Sequence, residues 1–303
     1  MKTTFRIRQP YADLFRQCAA EYKNESPVKP ERFIRIMRQN TGMAGVPGLD
    51  GLQKKNPVIA ALGDSVTAGH FESLVPSDPQ KLQEMAVSLG KLMELVALSR
   101  KDPAEAARRE CELAFYADPM EIYDARESYL EKFRERLIDR FEQTSVSVIN
   151  AGIAGDNLIS MVKRADRDVI RYQPDLVLIN GSLNWNASMG TTEQYAELLT
   201  GLVRKIKAGT DADIILLTPN GDLPNTTFEA LGIKAEEVTT PERCEVIRRI
   251  AEEEQVCLAD VRKVWDRAAD LGCPWKELLA NGVNHPSVEG HEVYADVLMQ
   301  LLD

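Results

Sequence analysis

Five short apolar runs constrain what this chain can fold into more than any other feature. They are Pro57–Leu62 (PVIAAL), Ser145–Asn150 (SVSVIN), Asp175–Asn180 (DLVLIN), Asp213–Thr218 (DIILLT) and Val256–Asp260 (VCLAD). The runs are continuous rather than alternating, as strands covered on both faces are. Amphipathic helical segments separate them. Tyr129, Phe133, Leu137 and Phe141 form one stripe before the second run. Leu158, Met161, Val162, Ala165 and Val169 form another before the third, and Tyr195, Leu198, Leu199, Leu202, Val203 and Ile206 one before the fourth. A last helix over about Ser287–Leu302 turns Tyr294, Leu298, Leu301 and Leu302 inward. This alternation predicts a parallel sheet with right-handed crossovers. Such sheets carry their sites at the carboxyl ends of the strands.

Two regions fall outside the repeat. Residues 1–56 hold two short helices, near 11–23 and 30–39, and then a Gly/Pro-rich stretch, TGMAGVPGLDG. They read as an N-terminal helical extension packed on a main domain of residues 57–303. Residues of about 72–120 read as a helical insertion, with Leu82, Met85, Leu89, Leu92 and Val96 at helical spacing. Asp102-Pro103 has the form of an N-cap followed by Pro at the first helical position. The plain reading of the Met/Leu stripe is packing on the main domain; a lid or a homodimer surface is the sharper one.

Composition narrows the function classes. Lys and Arg total 37 against 47 Asp and Glu, a net charge of −10. A chain this acidic lacks the broad positive field of a nucleic-acid or anionic-membrane binder. The N-terminus has no apolar core of a secretory signal, and no run reaches a membrane span. The five cysteines, Cys18, Cys111, Cys244, Cys257 and Cys273, are odd in number and scattered. That argues against a disulfide framework or CxxC metal site and fits a reducing cytoplasm. With three histidines, His70, His285 and His291, a His-rich metal centre is not expected.

The chemistry sits at the strand ends. The first run leads straight into Gly63-Asp64-Ser65-Val66-Thr67-Ala68-Gly69. A serine there can expose its hydroxyl at the carboxyl edge of the sheet, although Gly-Asp-Ser is also ordinary turn chemistry. The second run ends in Asn150-Ala151-Gly152-Ile153-Ala154-Gly155-Asp156-Asn157. Its glycines can free backbone N–H groups for an oxyanion, while Asp156 or Asn157 can cap the next helix. The third ends in Asn180-Gly181-Ser182-Leu183-Asn184-Trp185, where a carboxamide is either an oxyanion donor or an Asx-turn. Asn281-Gly282-Val283-Asn284-His285-Pro286 precedes the last helix and offers a loop histidine as general base. His291, inside that helix, reads as a packed residue. His70 reads as lying on the turn or helix after the serine, lining the pocket.

Together the four segments resemble the SGNH/GDSL hydrolase family over roughly residues 57–303, apart from the insertion. The resemblance implies a three-layer α/β/α sandwich with a central parallel sheet, flavodoxin-like in form, and ester hydrolysis. It implies Ser65 as nucleophile and His285 as base. The Ser65 and Gly155 N–H groups and the Asn184 carboxamide would be the oxyanion donors. Asp64, His70 and Trp185 are expected to line the pocket. Two positions depart from the family pattern. Trp185 follows Asn184 where an Asp is usual, and Gly282 stands where an Asp usually orients the base. A main-chain carbonyl or the Asn281 side-chain oxygen would then orient His285, giving a Ser–His dyad or an atypical triad.

The resulting expectation is a cytoplasmic serine esterase. It would act on short acyl esters, acetyl favoured, of a carbohydrate, oligosaccharide or small metabolite, with no metal and no organic cofactor. The alternatives are an SGNH-fold binding or scaffold protein that has lost turnover, and an acyltransferase.

Overall fold

A computed structural model describes residues 5–40, 56–73, 121–141, 144–224 and 239–303, with 87, 90–91, 94–95, 97–98 and 101–110. The strands are β1 (Val58–Gly63), β2 (His70–Ser73), β3 (Glu121–Tyr123), β4 (Ser147–Gly152), β5 (Leu176–Asn180), β6 (Asp213–Leu217) and β7 (Cys257–Ala259). Five of them form one sheet in the order β4-β1-β5-β6-β7, and every pairing in it is parallel. β2 and β3 pair separately. The main order is that of a doubly wound flavodoxin-like sheet, whose switch point lies beside its first strand. Gly63 pairs with Gly152 on one side and Asn180 on the other, so three strand ends meet there.

Alternation along the strands feeds two cores. Ile59, Ala61, Leu176, Leu178, Ile215 and Leu217 face one, with the helices Tyr11–Glu21, Glu31–Asn40, Tyr129–Arg140, Val261–Asp270 and Val288–Gln300. Ala60, Leu62, Val177, Ile179, Ile214 and Leu216 face the other, under Leu158–Asp168, Thr192–Gly209 and Thr240–Glu253. Both faces are covered, which is why these runs are continuously apolar. β4 is an edge strand, and its exposed and half-buried residues explain the mixed SVSVIN sequence.

Chain contacts divide the protein into two units. The first comprises Met1–Phe71, Tyr123–Pro224 and Glu236–Asp303; the second comprises Glu72–Ile122 and Asn225–Ala235. The N-terminal helices belong to the first unit, with the sheet. There Glu289 accepts the Ile7 N–H at 3.0 Å, and Val288 N–H donates to Phe5 O at 3.1 Å, so the leading segment holds the start of the last helix. In the second unit the helix Pro103–Glu110 is preceded by Asp102, whose carboxylate accepts the Glu105 N–H. Leu82, Met85, Leu89, Leu92, Val96, Cys111 and the TGMAGVPGLDG stretch lie outside the described residues. Among the described residues no helix is long and apolar enough to cross a membrane.

Candidate active site

The turn after β1 is a single helical turn, Ser65–Ala68. Asp64 caps it by accepting the Val66 N–H at 3.0 Å. Gly69 closes it in the left-handed region at φ 89°, its N–H reaching Ser65 O and Val66 O. Close approach of the turn requires glycine on both β1 and β4. A Cβ at Gly63 would meet Thr67 Oγ1 at 2.0 Å, and one at Gly152 would meet Ala68 N at 2.3 Å. Asn150 ties the same parts together: its amide donates to Thr67 O at 2.9 Å and its oxygen accepts the Gly152 N–H.

The Ser65 hydroxyl, nearly buried, lies 3.0 Å from His285 Nε2, although the two residues are 220 positions apart. The histidine loop is a small closed structure. Leu279 and Pro286 form an antiparallel bridge, and Ala280 N–H donates to His285 O at 2.8 Å. Asn281 Oδ1 accepts the N–H groups of Val283, Asn284 and His285 at 3.0, 2.9 and 2.9 Å. The Asn281 oxygen thus meets His285 at its main chain and not at its ring. Gly282 sits at φ 67°, and a Cβ there would point toward Lys276.

The opposite side is the loop after β4. Ile153 N–H donates to Gly63 O at 3.1 Å, which joins this loop to β1. Gly155 has φ 71°, and a Cβ there would meet nothing within 4 Å. Asn157, not Asp156, caps the following helix, accepting the Ile159 and Ser160 N–H groups. Asn184 donates one amide hydrogen to Asp156 O at 2.9 Å, leaving its second for another acceptor.

Residues 114–293 match the family model of the GDSL-like lipase/acylhydrolase family. The chain belongs to that family. The match makes this protein a serine carboxylic ester hydrolase. The matched residues include His285 and begin after β1, so Ser65 enters the site by geometry. No curated protein matches the hydrolase in sequence. Among solved structures it is similar to a putative GDSL-like lipase from Parabacteroides merdae at 19% identity, covering 82% of this chain and 96% of that one, with a TM-score of 0.55. An acetylxylan esterase from Geobacillus stearothermophilus gives 19% identity, 82% and 94% coverage and a TM-score of 0.53. A two-domain esterase active on acetylated mannans gives 21% identity, 82% and 49% coverage and a TM-score of 0.52. At these identities the likeness is one of fold.

Two pocket expectations change in the hydrolase, and a third residue sits on a different element. Asp64 is fully buried and caps the Ser65–Ala68 turn instead of lining an open pocket. Burial, ahead of the opposing Val66 hydrogen bond, pushes its carboxyl up to about 7. Trp185 is buried too, edge-on to Tyr195 with ring centres 5.5 Å apart, so it packs the second core. His70 begins β2 rather than a turn or helix; its ring lies 6.2 Å from that of His285 and stacks on Tyr123. His291 is a packed histidine: Nδ1 accepts the Tyr129 N–H at 3.0 Å, and burial drives its pKa down to about 3. Among the described residues no group of three or more His, Cys, Asp or Glu could hold a metal ion.

Sequence reasoning missed two residues that assemble the site. Arg164, buried on the helix Leu158–Asp168, donates to Asp156 Oδ2 at 2.7 Å, Ala151 O at 2.7 Å and Gly63 O at 2.9 Å. One guanidinium thus joins the ends of β1 and β4 to the loop that carries Gly155. Asn220, fully buried beyond β6, donates to Asn284 O at 2.8 Å beside His285 and is itself held by Tyr294. Asp156 followed eight residues later by an arginine on an apolar helix face is a readable signal for the first. A carboxamide shortly after an apolar strand is a weaker one for the second.

Proposed function

We propose that this esterase removes short acyl groups, acetyl foremost, from a carbohydrate or small metabolite, with Ser65 as nucleophile and His285 as general base. The observation that carries the reading is the 3.0 Å contact of Ser65 Oγ with His285 Nε2 at the switch point of a parallel sheet. Ser65 Oγ attacks the ester carbonyl as its proton passes to His285 Nε2. Negative charge then gathers on the carbonyl oxygen, where the Ser65 and Gly155 N–H groups and the second Asn184 amide hydrogen receive it. The carbon–alkoxy bond breaks, and His285 gives its proton to the leaving alcohol. Water, deprotonated by His285, attacks the acyl-serine; the acyl–Oγ bond then breaks as His285 returns the proton to Ser65 Oγ, and the acid leaves. The carbohydrate part of the reading is supported by the fold shared with esterases named for acetylated xylan and mannan.

Gly282, standing where an acidic partner for the base is usual, favours one rival, a binding protein of the same fold without turnover. Fluorophosphonate labelling separates the two. We expect stoichiometric labelling and hydrolysis of a graded ester panel, shortest acyl fastest, both abolished by Ser65→Ala. An unlabelled, inactive but folded wild-type protein overturns the enzyme reading, and undiminished hydrolysis by Ser65→Ala overturns the nucleophile.

A further inference from the structure

Tyr123 is one of the few large apolar side chains left in solvent among the described residues, with 53% of its surface exposed. It is not a loose residue. Asp124, next in the chain, donates its N–H to Gly69 O at 2.8 Å, so the backbone is bonded to the end of the nucleophile turn. The approach is tight: a Cβ at Gly69 would meet Ala125 Cα at 2.8 Å. The Tyr123 ring stacks on His70 with centres 5.4 Å apart and planes 23° apart, and His70 lies edge-on to His285 at 6.2 Å. An aromatic side chain about half in solvent is thus fixed, through one intervening ring, to the catalytic base.

We propose that the Tyr123–His70 stack is a platform for the sugar ring of the alcohol half of the substrate, an inference that rests on the esterase reading above. The chemistry assigns the half. The leaving oxygen must take its proton from His285 Nε2, so the alcohol lies on the histidine side of the scissile bond. The acyl oxygen lies on the Gly155 and Asn184 side. The ring assigns the class. A pyranose can lay one apolar C–H face on a single aromatic ring while its hydroxyls stay in water, which suits a tyrosine half in solvent. A long aliphatic alcohol needs an extended apolar surface to bury its CH2 groups, which one ring does not supply.

The test compares kcat/KM for a mono-acetylated xylo-oligosaccharide with that for ethyl acetate, whose alcohol is too small to reach the platform. Decyl acetate reports on a lipid-like alcohol. Tyr123→Ala should lower the oligosaccharide-to-ethyl-acetate ratio by about ten-fold, mainly through KM, and Tyr123→Trp should restore it. Tyr123→Gln, polar and also stable in solvent, serves should the alanine variant fold poorly. An unchanged ratio in folded Tyr123→Ala and Tyr123→Gln overturns the platform, as does a ten-fold loss confined to decyl acetate. Ethyl acetate hydrolysis that survives Ser65→Ala overturns the underlying esterase reading instead, so the two failures are distinct.

Discussion

On one side of Ser65, the loop after β4 hangs from a buried guanidinium; on the other, the histidine loop hangs from neutral carboxamides. Arg164 and Asp156 are almost wholly enclosed, and the arginine adds two main-chain carbonyls to the ion pair. Asn281 and Asn220 hold the other loop with neutral hydrogen bonds, to its main chain and, from Asn281, to the Asn284 side chain. The difference teaches where a single substitution is costly. Removing one partner of a buried ion pair leaves an uncompensated charge and costs about 3–5 kcal/mol. Removing a neutral hydrogen-bonding side chain costs about 1–3 kcal/mol, because only dipoles are left unpaired.

The largest effect should therefore come from Arg164→Met. We expect a loss of about 3–5 kcal/mol in urea unfolding, with kcat reduced further than KM is raised, since the loop carrying Gly155 loses its anchor. Arg167→Met, on the exposed face of the same helix, is the control and should leave the midpoint nearly unchanged. Equal, small losses in both variants would erase the distinction between the two sides.

A second substitution sharpens the comparison within the Ser65 side, where Asp156 has a guanidinium and Asp64 accepts the Val66 N–H. The Asp64 carboxyl is raised from 3.8 to about 7 by burial. A raised acid favours the fold while it is protonated. Its contribution is therefore complete below about pH 4 and is lost as pH rises through about 7. Asp64→Asn keeps the shape and cannot ionise. Its melting temperature relative to wild type should climb between about pH 4 and pH 8. His291, held down to about 3, has the opposite sign but is common to both proteins and cancels. Parallel melting curves across that range would show that Asp64 is ionised throughout.

These contrasts also mark what the sequence discloses. The central strands were legible because both faces of β1, β5 and β6 are buried, so hydrophobicity alone draws their outline. The edge strand was less so: its run reads as Ser145–Asn150, whereas pairing extends β4 to Gly152, opposite Gly63. The Ser65 and His285 segments could be named from local motifs. Their contact across 220 positions needed the topology. Arg164 was hidden because an arginine among Lys163, Asp166 and Arg167 reads as part of a solvated face, and only three-dimensional packing turns it inward. Trp185 misled in the other direction. A large aromatic beside Asn184 suggests a pocket wall, yet burying it against Tyr195 removes more apolar surface from water.

The smallest effect, and the one that probes the neutral side, is Asn281→Ala. Its oxygen serves three consecutive N–H groups, of Val283, Asn284 and His285, so a single atom shapes the loop. The loop is partly open to water, which can replace some of those bonds. The cost in urea unfolding should then be about 1 kcal/mol, well below that of Arg164→Met. Activity should be more sensitive than stability, because a His285 ring displaced by a fraction of an ångström loses its approach to Ser65 Oγ. Asn281→Asp supplies the decisive contrast. An ionised carboxylate accepts the same three donors at least as well, so it should rescue kcat if main-chain support is what the position provides. A kcat that falls equally in Asn281→Ala and Asn281→Asp would mean that the amide hydrogens, bonded to Asn284 Oδ1, matter more than the acceptor. That result would move the support of the base from the backbone of the loop to its side chains.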